Sequence, residues 1–300
     1  MFSVIKTHKI WFTLSTVLFA LSILAVSVWH FKLGIDFTGG SLMEITTTAP
    51  VSDLSVIENA AEPILKEKPH IQPIGSNGYI IRTPFISEAT HQEVLTAVKK
   101  IPNIGEIKES RFETIGPTVS AELQRKAIWS IIMVLGAIII YVAWAFRGVS
   151  RPLSAWVYGV VAVIALLHDV FIPAGVFAVL GKYYGYEVDT LFVTALLTIL
   201  GFSVHDTIVT FDRVREHLKR TPKANFSELV DQSVRETFRR SINTSMTVLL
   251  VLVPVHIFGG ESIKEFTLVL ILGIIVGTYS SIFIACPLLV VWNSLAEKRR

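Results

Sequence analysis

Two stretches that otherwise read as membrane each carry a histidine followed by an aspartate: His168-Asp169 and His205-Asp206. The second pair lies in GFSVHDTIVTFDRVREH (201–217), directly after LFVTALLTIL, with Ile208, Val209 and Phe211 still to come. A charge at the bilayer centre costs at least ~2.5–3.5 kcal/mol on insertion scales, so such residues serve an ion or proton pathway or lock helices together. Asp206 stands seven residues before Arg213, about 10 Å inside the end of the apolar run at 1.5 Å per residue. Its expected partner is Arg240, in RRSINTS, which opens a later apolar run at the same side and is followed by Ser241, Thr244 and Ser245. A carboxyl caught between desolvation and a nearby guanidinium changes protonation when helices shift, as a proton relay requires. A structural polar lock is the competing reading of the same pair.

His168-Asp169 falls late in its own run, so it is expected nearer the opposite surface and out of contact with His205-Asp206. It reads as structural or interfacial, and with Thr210 it forms a secondary set of relay candidates. Asp212, Arg213, Arg215 and Glu216 read as a helix end leaving the membrane. No run supplies His and carboxylate ligands at i, i+3 or i+4, so no metal site is expected. There is no G-x-S-x-G elbow and no candidate triad, so no catalytic residue and no cofactor is expected either. Gly273, Gly277, Ser281 and Ala285 recur every four residues, a ridge suited to close helix packing.

The elements that must position these residues follow from composition. Of 300 residues 52% are hydrophobic and 17% charged, with a mean hydropathy of +0.58; soluble domains are nearer 25% charged. The net charge of +3 sits in loops between apolar runs, not on a basic face interleaved with aromatics, which argues against a nucleic-acid binder. The single cysteine, Cys286, allows no intrachain disulfide and reads as a small buried hydrophobe.

Apolar runs long enough to span a bilayer lie near 10–30, 127–146, 153–180, 190–211, 242–258 and 266–292. The first is too long for a signal peptide, lacks a small-residue cleavage site and is expected to be a retained anchor. Lysine and arginine gather at 147–151, at 213–240 and at 298–300, whereas 181–189 and 259–265 carry one lysine each. The positive-inside rule then places both termini in the cytoplasm. The expected organisation is a cytoplasmic N-terminus and first span over 1–30, an outer domain over 31–124, and five further spans over 125–300. Within the last, 212–241 is expected as a cytoplasmic stretch, either amphipathic helix along the membrane face or solvated loop.

The outer segment reads strand (41–48), helix (52–68, capped by Ser52), a hairpin of two strands (70–74 and 78–83), helix (87–101) and strand (106–115). That β-α-β-β-α-β order predicts an α+β ferredoxin-like domain on a polytopic α-helical membrane protein with six transmembrane helices.

GFSVHDTIVTFDRVREH, RRSINTS and IFGGESIKEF, together with GIDFTGGSLMEI after the first span, closely resemble the SecF family of bacterial protein-export subunits, of the resistance-nodulation-division-like superfamily. The resemblance runs in order along nearly the whole chain. It implies a partner, SecD; a place beside the SecYEG channel, with YajC as a further partner; and use of the proton-motive force to complete preprotein translocation after the ATP-driven SecA step. It also implies a multi-pass protein of the cytoplasmic (inner) membrane. The family's membrane carboxylate falls on Asp206 and its arginine on Arg240; the third relay member is a SecD carboxylate. Many relatives have Asn where this chain has His205, which leaves open whether His205 joins the relay. Gly34, Asp36, Phe37, Gly39 and Gly40 match the family's signature at the periplasmic entry. Against this stand a small-molecule exporter, for which half the expected spans and outer domains are present, and a scaffold that only steadies a partner.

Overall fold

The computed structural model describes residues 3–51, 53–75, 77–102, 104–148, 152–221 and 224–298, the side chains of 261 and 262 apart. Ser52 as a helix cap, Ser76 of the expected hairpin turn, and the basic residues Arg151, Arg299 and Arg300 lie outside the described residues. The chain divides into two compact units, residues 33–127 and the remainder.

In residues 33–127, β1 (Gly40–Thr47), β2 (His70–Ile74), β3 (Gly78–Thr83) and β4 (Ile107–Ile115) form an antiparallel sheet in the order β2-β3-β1-β4. With α3 (Ser55–Leu65) and α4 (Glu88–Lys99) in between, this is the ferredoxin-like order. Alternate residues face the helices, as a pleat of period two demands: Met43 and Ile45, Tyr79 and Ile81. They meet Ile57 and Ala61 of α3 and Val94 and Val98 of α4, each pair one helical turn apart. His91 lies between Glu109 Oε1 (2.7 Å) and Glu88 Oε1 (3.1 Å), stacked on Phe112. The Gln92 amide, followed by His91, holds the exposed Glu88 carboxyl below its usual range.

The entry motif builds the start of this sheet. Gly34 caps the single turn α2 (Ile35–Thr38), its carbonyl accepting from Thr38 Oγ1. Phe37 is buried while Asp36 sits in the first turn. Gln124 Nε2 donates to Phe37 O at 2.6 Å. Gly39 and Gly40 follow at φ +73° and +123°, and a Cβ on Gly40 would lie 2.7 Å from Thr83 O, so β1 cannot start there with any larger residue.

The remainder is helical. Among the described residues six helices are long and apolar enough to cross a membrane: α1 (His8–Trp29), α5 (Pro117–Ala145), α6 (Ala155–Tyr184), α7 (Thr190–Arg220), α8 (Phe226–Phe258), and a last one formed by α9 (Glu261–Ser280), a π-helical turn (Ser281–Ala285) and α10 (Cys286–Lys298). The protein is therefore a multi-pass membrane protein with a four-stranded antiparallel sheet domain near its N-terminus. The Cβ stripes of α6, α7 and the α9–α10 helix face one another and form most of the enclosed core.

The stretch 212–241 is neither a helix lying apart along the membrane nor a loop. With 31 and 33 residues, α7 and α8 run about 46 and 50 Å at 1.5 Å per residue, well beyond a ~30 Å hydrocarbon core. Their charged ends form one helical hairpin, closed by Phe211, Val214, Leu229, Val230 and Val234 inside and by Arg213 and His217 on Glu236 outside. No glycine or proline interrupts the chain between Phe202 and Thr221, so nothing ends α7 where the apolar residues thin out.

Candidate functional site

Asp206 stands on α7, 4% exposed, yet its Oδ2 has no hydrogen-bond partner. The expected ion pair with Arg240 does not form among the described residues: Arg240 is exposed on α8 and reaches Asp206 only through its field, as does the exposed His205. Nearby on α8, the Ser241 hydroxyl is also buried and unpartnered. Thr210, one turn below Asp206, donates to the Asp206 carbonyl (3.3 Å) and meets Thr237 Oγ1 of α8 at 3.2 Å. A side chain that desolvates a carboxyl without supplying a donor leaves it ready to take a proton or a new partner. Asn243 and Thr247 extend the same exposed polar strip of α8 into the apolar part of that span.

The other pair is closed. Asp169 is fully buried, and its Oδ2 accepts from Ser203 Oγ of α7 at 2.5 Å and from Ser280 Oγ of α9 at 2.7 Å. Its Oδ1 faces His168 Nδ1 at 3.1 Å. The His168 ring lies between Phe19 of α1 and Tyr279 of α9, and its Nε2 has no partner. The expectation that Asp169 lies near the outer end of its span is corrected here. Helix α6 runs on past Pro173 to Tyr184, so Asp169 is at its midpoint and level with Ser203, one turn from Asp206. Proline costs a helix one donor but does not end it where neighbouring helices hold the backbone.

The small-residue ridge packs inside the chain. Gly273 meets the Ile199 side chain, and a Cβ on Gly277 would lie 2.9 Å from Ser203 Cβ. Close approach at Gly277 is what lets Ser203 and Ser280, from two helices, converge on one carboxylate oxygen. Ser281 turns instead to the carbonyl of Thr278. Sequence reasoning took Ser281 for the ridge and passed over its neighbour Ser280; it also passed over Ser203, a lone hydroxyl one turn before Asp206. No cluster of three metal-ligating side chains occurs among the described residues.

A family model described as the C-terminal region of the protein export membrane proteins SecD/SecF matches residues 94–295, and one for the SecD/SecF GG motif matches 30–51. The chain is 38% identical to the protein translocase subunit SecF of Thermobaculum terrenum, over 98% of this chain and 95% of that one. It is 35% identical to the subunit of the same name from Anaerolinea thermophila, with the same coverage. Its fold is similar to the crystal structure of SecDF, a translocon-associated membrane protein from Thermus thermophilus, with a TM-score of 0.82 at 30% identity. The match takes in 98% of this chain and 39% of that one, so this chain spans well under half of the length of the SecDF chain.

Proposed function

We propose that this chain, which belongs to the SecD/SecF family of protein export membrane proteins, works with SecD to couple the proton-motive force to preprotein translocation. It acts at the inner membrane beside SecYEG, with YajC as an accessory partner, after the ATP-driven SecA step. The naming of its relatives as translocase subunits supports transport without a covalent catalytic site. Basic loops and tail support cytoplasmic termini, which puts residues 31–124 in the periplasm.

The observation that carries this reading is the open state of Asp206. A buried carboxyl with an unpartnered oxygen lies within the electrostatic reach of His205 and Arg240, and Arg240, Asn243 and Thr247 form a strip of α8 that is exposed among the described residues. An arginine left to lipid there is costly, so the face supports a second membrane protein as its cover, and SecD is the one the family supplies. Asp206, Arg240 and His205 form the relay in this reading, completed by a SecD carboxylate. Protonation of Asp206 removes the field that holds Arg240, the helices shift, and the periplasmic domain moves against the emerging polypeptide. One charge crossing 100 mV is worth about 2.3 kcal/mol, enough to bias a two-state motion more than tenfold.

The test is export into vesicles that hold this chain, SecD and the channel. In the Asp206→Asn variant, stimulation by a proton gradient should fall to the level seen without a gradient, with the complex still assembled. Stimulation equal to that of the unaltered protein would sink the reading.

A further inference from the structure

A carboxylate needs charge compensation when it leaves water entirely, and Asp169 has none that is permanent. Among the described residues no lysine or arginine lies within ion-pair distance; His168 is its one ionisable neighbour in contact. Desolvated ions without a fixed partner are retained in membranes where an ion or proton must bind. On the helices packed against α6, the titratable groups nearest in sequence to the residues that touch this pair are Asp206 and His205 of α7, Tyr279 of α9 and Cys286 of α10; the lysines and arginines of these helices lie toward their ends, Lys9 on α1, Arg213, Arg215, Lys219 and Arg220 on α7, Lys264 on α9 and Lys298 on α10. Tyr279 is occupied with Ser15 Oγ and the Trp11 carbonyl, and α1 offers only Phe19, Ser15 and Ser22 at this level. None of these nearer groups brings a fixed positive charge.

From this geometry we propose that His168-Asp169 is a second proton-binding station, loaded at His168 Nε2 and placed in series with Asp206. The pair has the form of a bucket brigade. With Nδ1–H donating to Asp169 Oδ1, the Nε2 lone pair is buried and unpartnered. A proton arriving at Nε2 releases the Nδ1 proton to Oδ1. The imidazole stays neutral with its tautomer reversed, the carboxylate becomes a carboxylic acid, and the negative charge is cancelled. One N–H bond and one O–H bond form, and one N–H bond breaks.

Position fits that role. Ser203, which holds Asp169, precedes Asp206 by one turn of α7, and Thr207 Oγ1 donates to the Ser203 carbonyl at 3.2 Å. Thr210 and Thr237 continue the buried polar row toward Arg213. With the termini cytoplasmic, the row that starts at His168 and Asp169 at mid-helix runs through Ser203 to Asp206 and onward toward the cytoplasmic end of α7, the direction in which the gradient drives protons. Loading also has a mechanical reader. Ser280 is the last residue of α9 before the π turn, and such turns recur at functional sites because their looser bonding lets a helix shift. A neutral carboxyl holds Ser280 less strongly than a carboxylate does.

This inference rests on the proton-coupled reading above, and infrared spectroscopy separates the two. The full chain in lipid nanodiscs, alone and with SecD, is titrated while the C=O stretch of protonated carboxyl groups is followed. Two buried acids should appear in the unaltered protein; Asp169→Asn should delete one and Asp206→Asn the other. His168→Phe should keep the Asp169 band but move its titration by at least about tenfold in proton affinity, roughly one pH unit. Ser280→Ala, which leaves the carboxyl in place, should shift the frequency of the Asp169 band; this variant decides the matter should Asp169→Asn not fold. An Asp169→Asn spectrum that keeps both bands, or an Asp169 band indifferent to Ser280→Ala, overturns the proposal. Loss of gradient-driven export in Asp206→Asn alone, with no Asp169 band, leaves the functional reading standing and removes only this station. An Asp169 band beside unimpaired export in Asp206→Asn does the reverse.

Discussion

The same dipeptide occupies two adjacent helices and meets opposite surroundings. On α6, Asp169 spends both carboxyl oxygens on neighbours from its own helix, α7 and α9. On α7, Asp206 is nearly as buried but keeps an oxygen unpartnered, and both of its charged neighbours face outward. The difference lies in what stands opposite. A glycine on α9 lets two serines close over Asp169, whereas no donor reaches Asp206 Oδ2 among the described residues, and the nearby Ser241 hydroxyl of α8 is unpartnered too. A buried carboxyl in a membrane is therefore not one kind of object: among the described residues Asp169 has partners on both oxygens, and Asp206 has an oxygen with none.

The sharpest way to break this contrast is to remove each carboxyl in turn. Asp169→Leu leaves Ser203, Ser280 and His168 without their common acceptor in a dry site and should cost about 3–5 kcal/mol, the range for breaking a buried polar cluster by deleting one member. Asp206→Leu removes a carboxyl whose buried Oδ2 accepts no hydrogen bond among the described residues, so its cost should stay under about 1 kcal/mol or turn into a gain. Unfolding of both variants in mixed micelles checks this. Equal losses would mean that Asp206 is as fully satisfied as Asp169 and that the contrast is false.

The contact that makes Asp169 complete is the next target. Gly277→Val puts a branched side chain where even a Cβ would crowd Ser203. Overpacking of this kind costs typically about 1–3 kcal/mol. It should pull Ser203 away from Asp169 and leave Asp206 untouched, so the loss should nearly vanish when Asp169 is already replaced. Double-variant stability measurements report that coupling, and full additivity would contradict it.

Much of this architecture was readable because it is local. The length of an apolar run marks a span, and the two-residue and 3.6-residue periods of 41–115 dictate the sheet domain without reference to anything distant. The open site was readable in part, since an aspartate within GFSVHDTIVTF announces itself by cost alone. Partners were not readable, because they depend on rotation between helices. Ser280 and Ser281 differ by 100° around one axis, and only packing decides that Ser280 meets Asp169 while Ser281 turns to its own backbone. The depth of Asp169 was misjudged for a related reason: the apolar run near 153–180 understates α6, which runs to Tyr184 and leaves Asp169 at its midpoint. The charged 212–241 hairpin was missed because a helix held by its packed face, Val214 against Val230 and Val234, does not stop where hydropathy does.

The smallest expected effect concerns the row that joins Asp206 to the charged end of the hairpin. Thr210 is fully buried and links α7 to α8 through Thr237 at 3.2 Å, while also returning a hydrogen bond to the Asp206 carbonyl. Thr210→Val keeps the shape and deletes the hydroxyl. Interhelical hydrogen bonds in membranes average only about 0.6 kcal/mol, since the unfolded reference also finds partners. Stability should therefore change by no more than that. Gradient-driven export should change more than stability if the hydroxyl row carries protons, because a relay fails at its weakest link whereas a fold sums many contacts. A variant that loses both in proportion assigns Thr210 to packing, and the row then ends at Asp206.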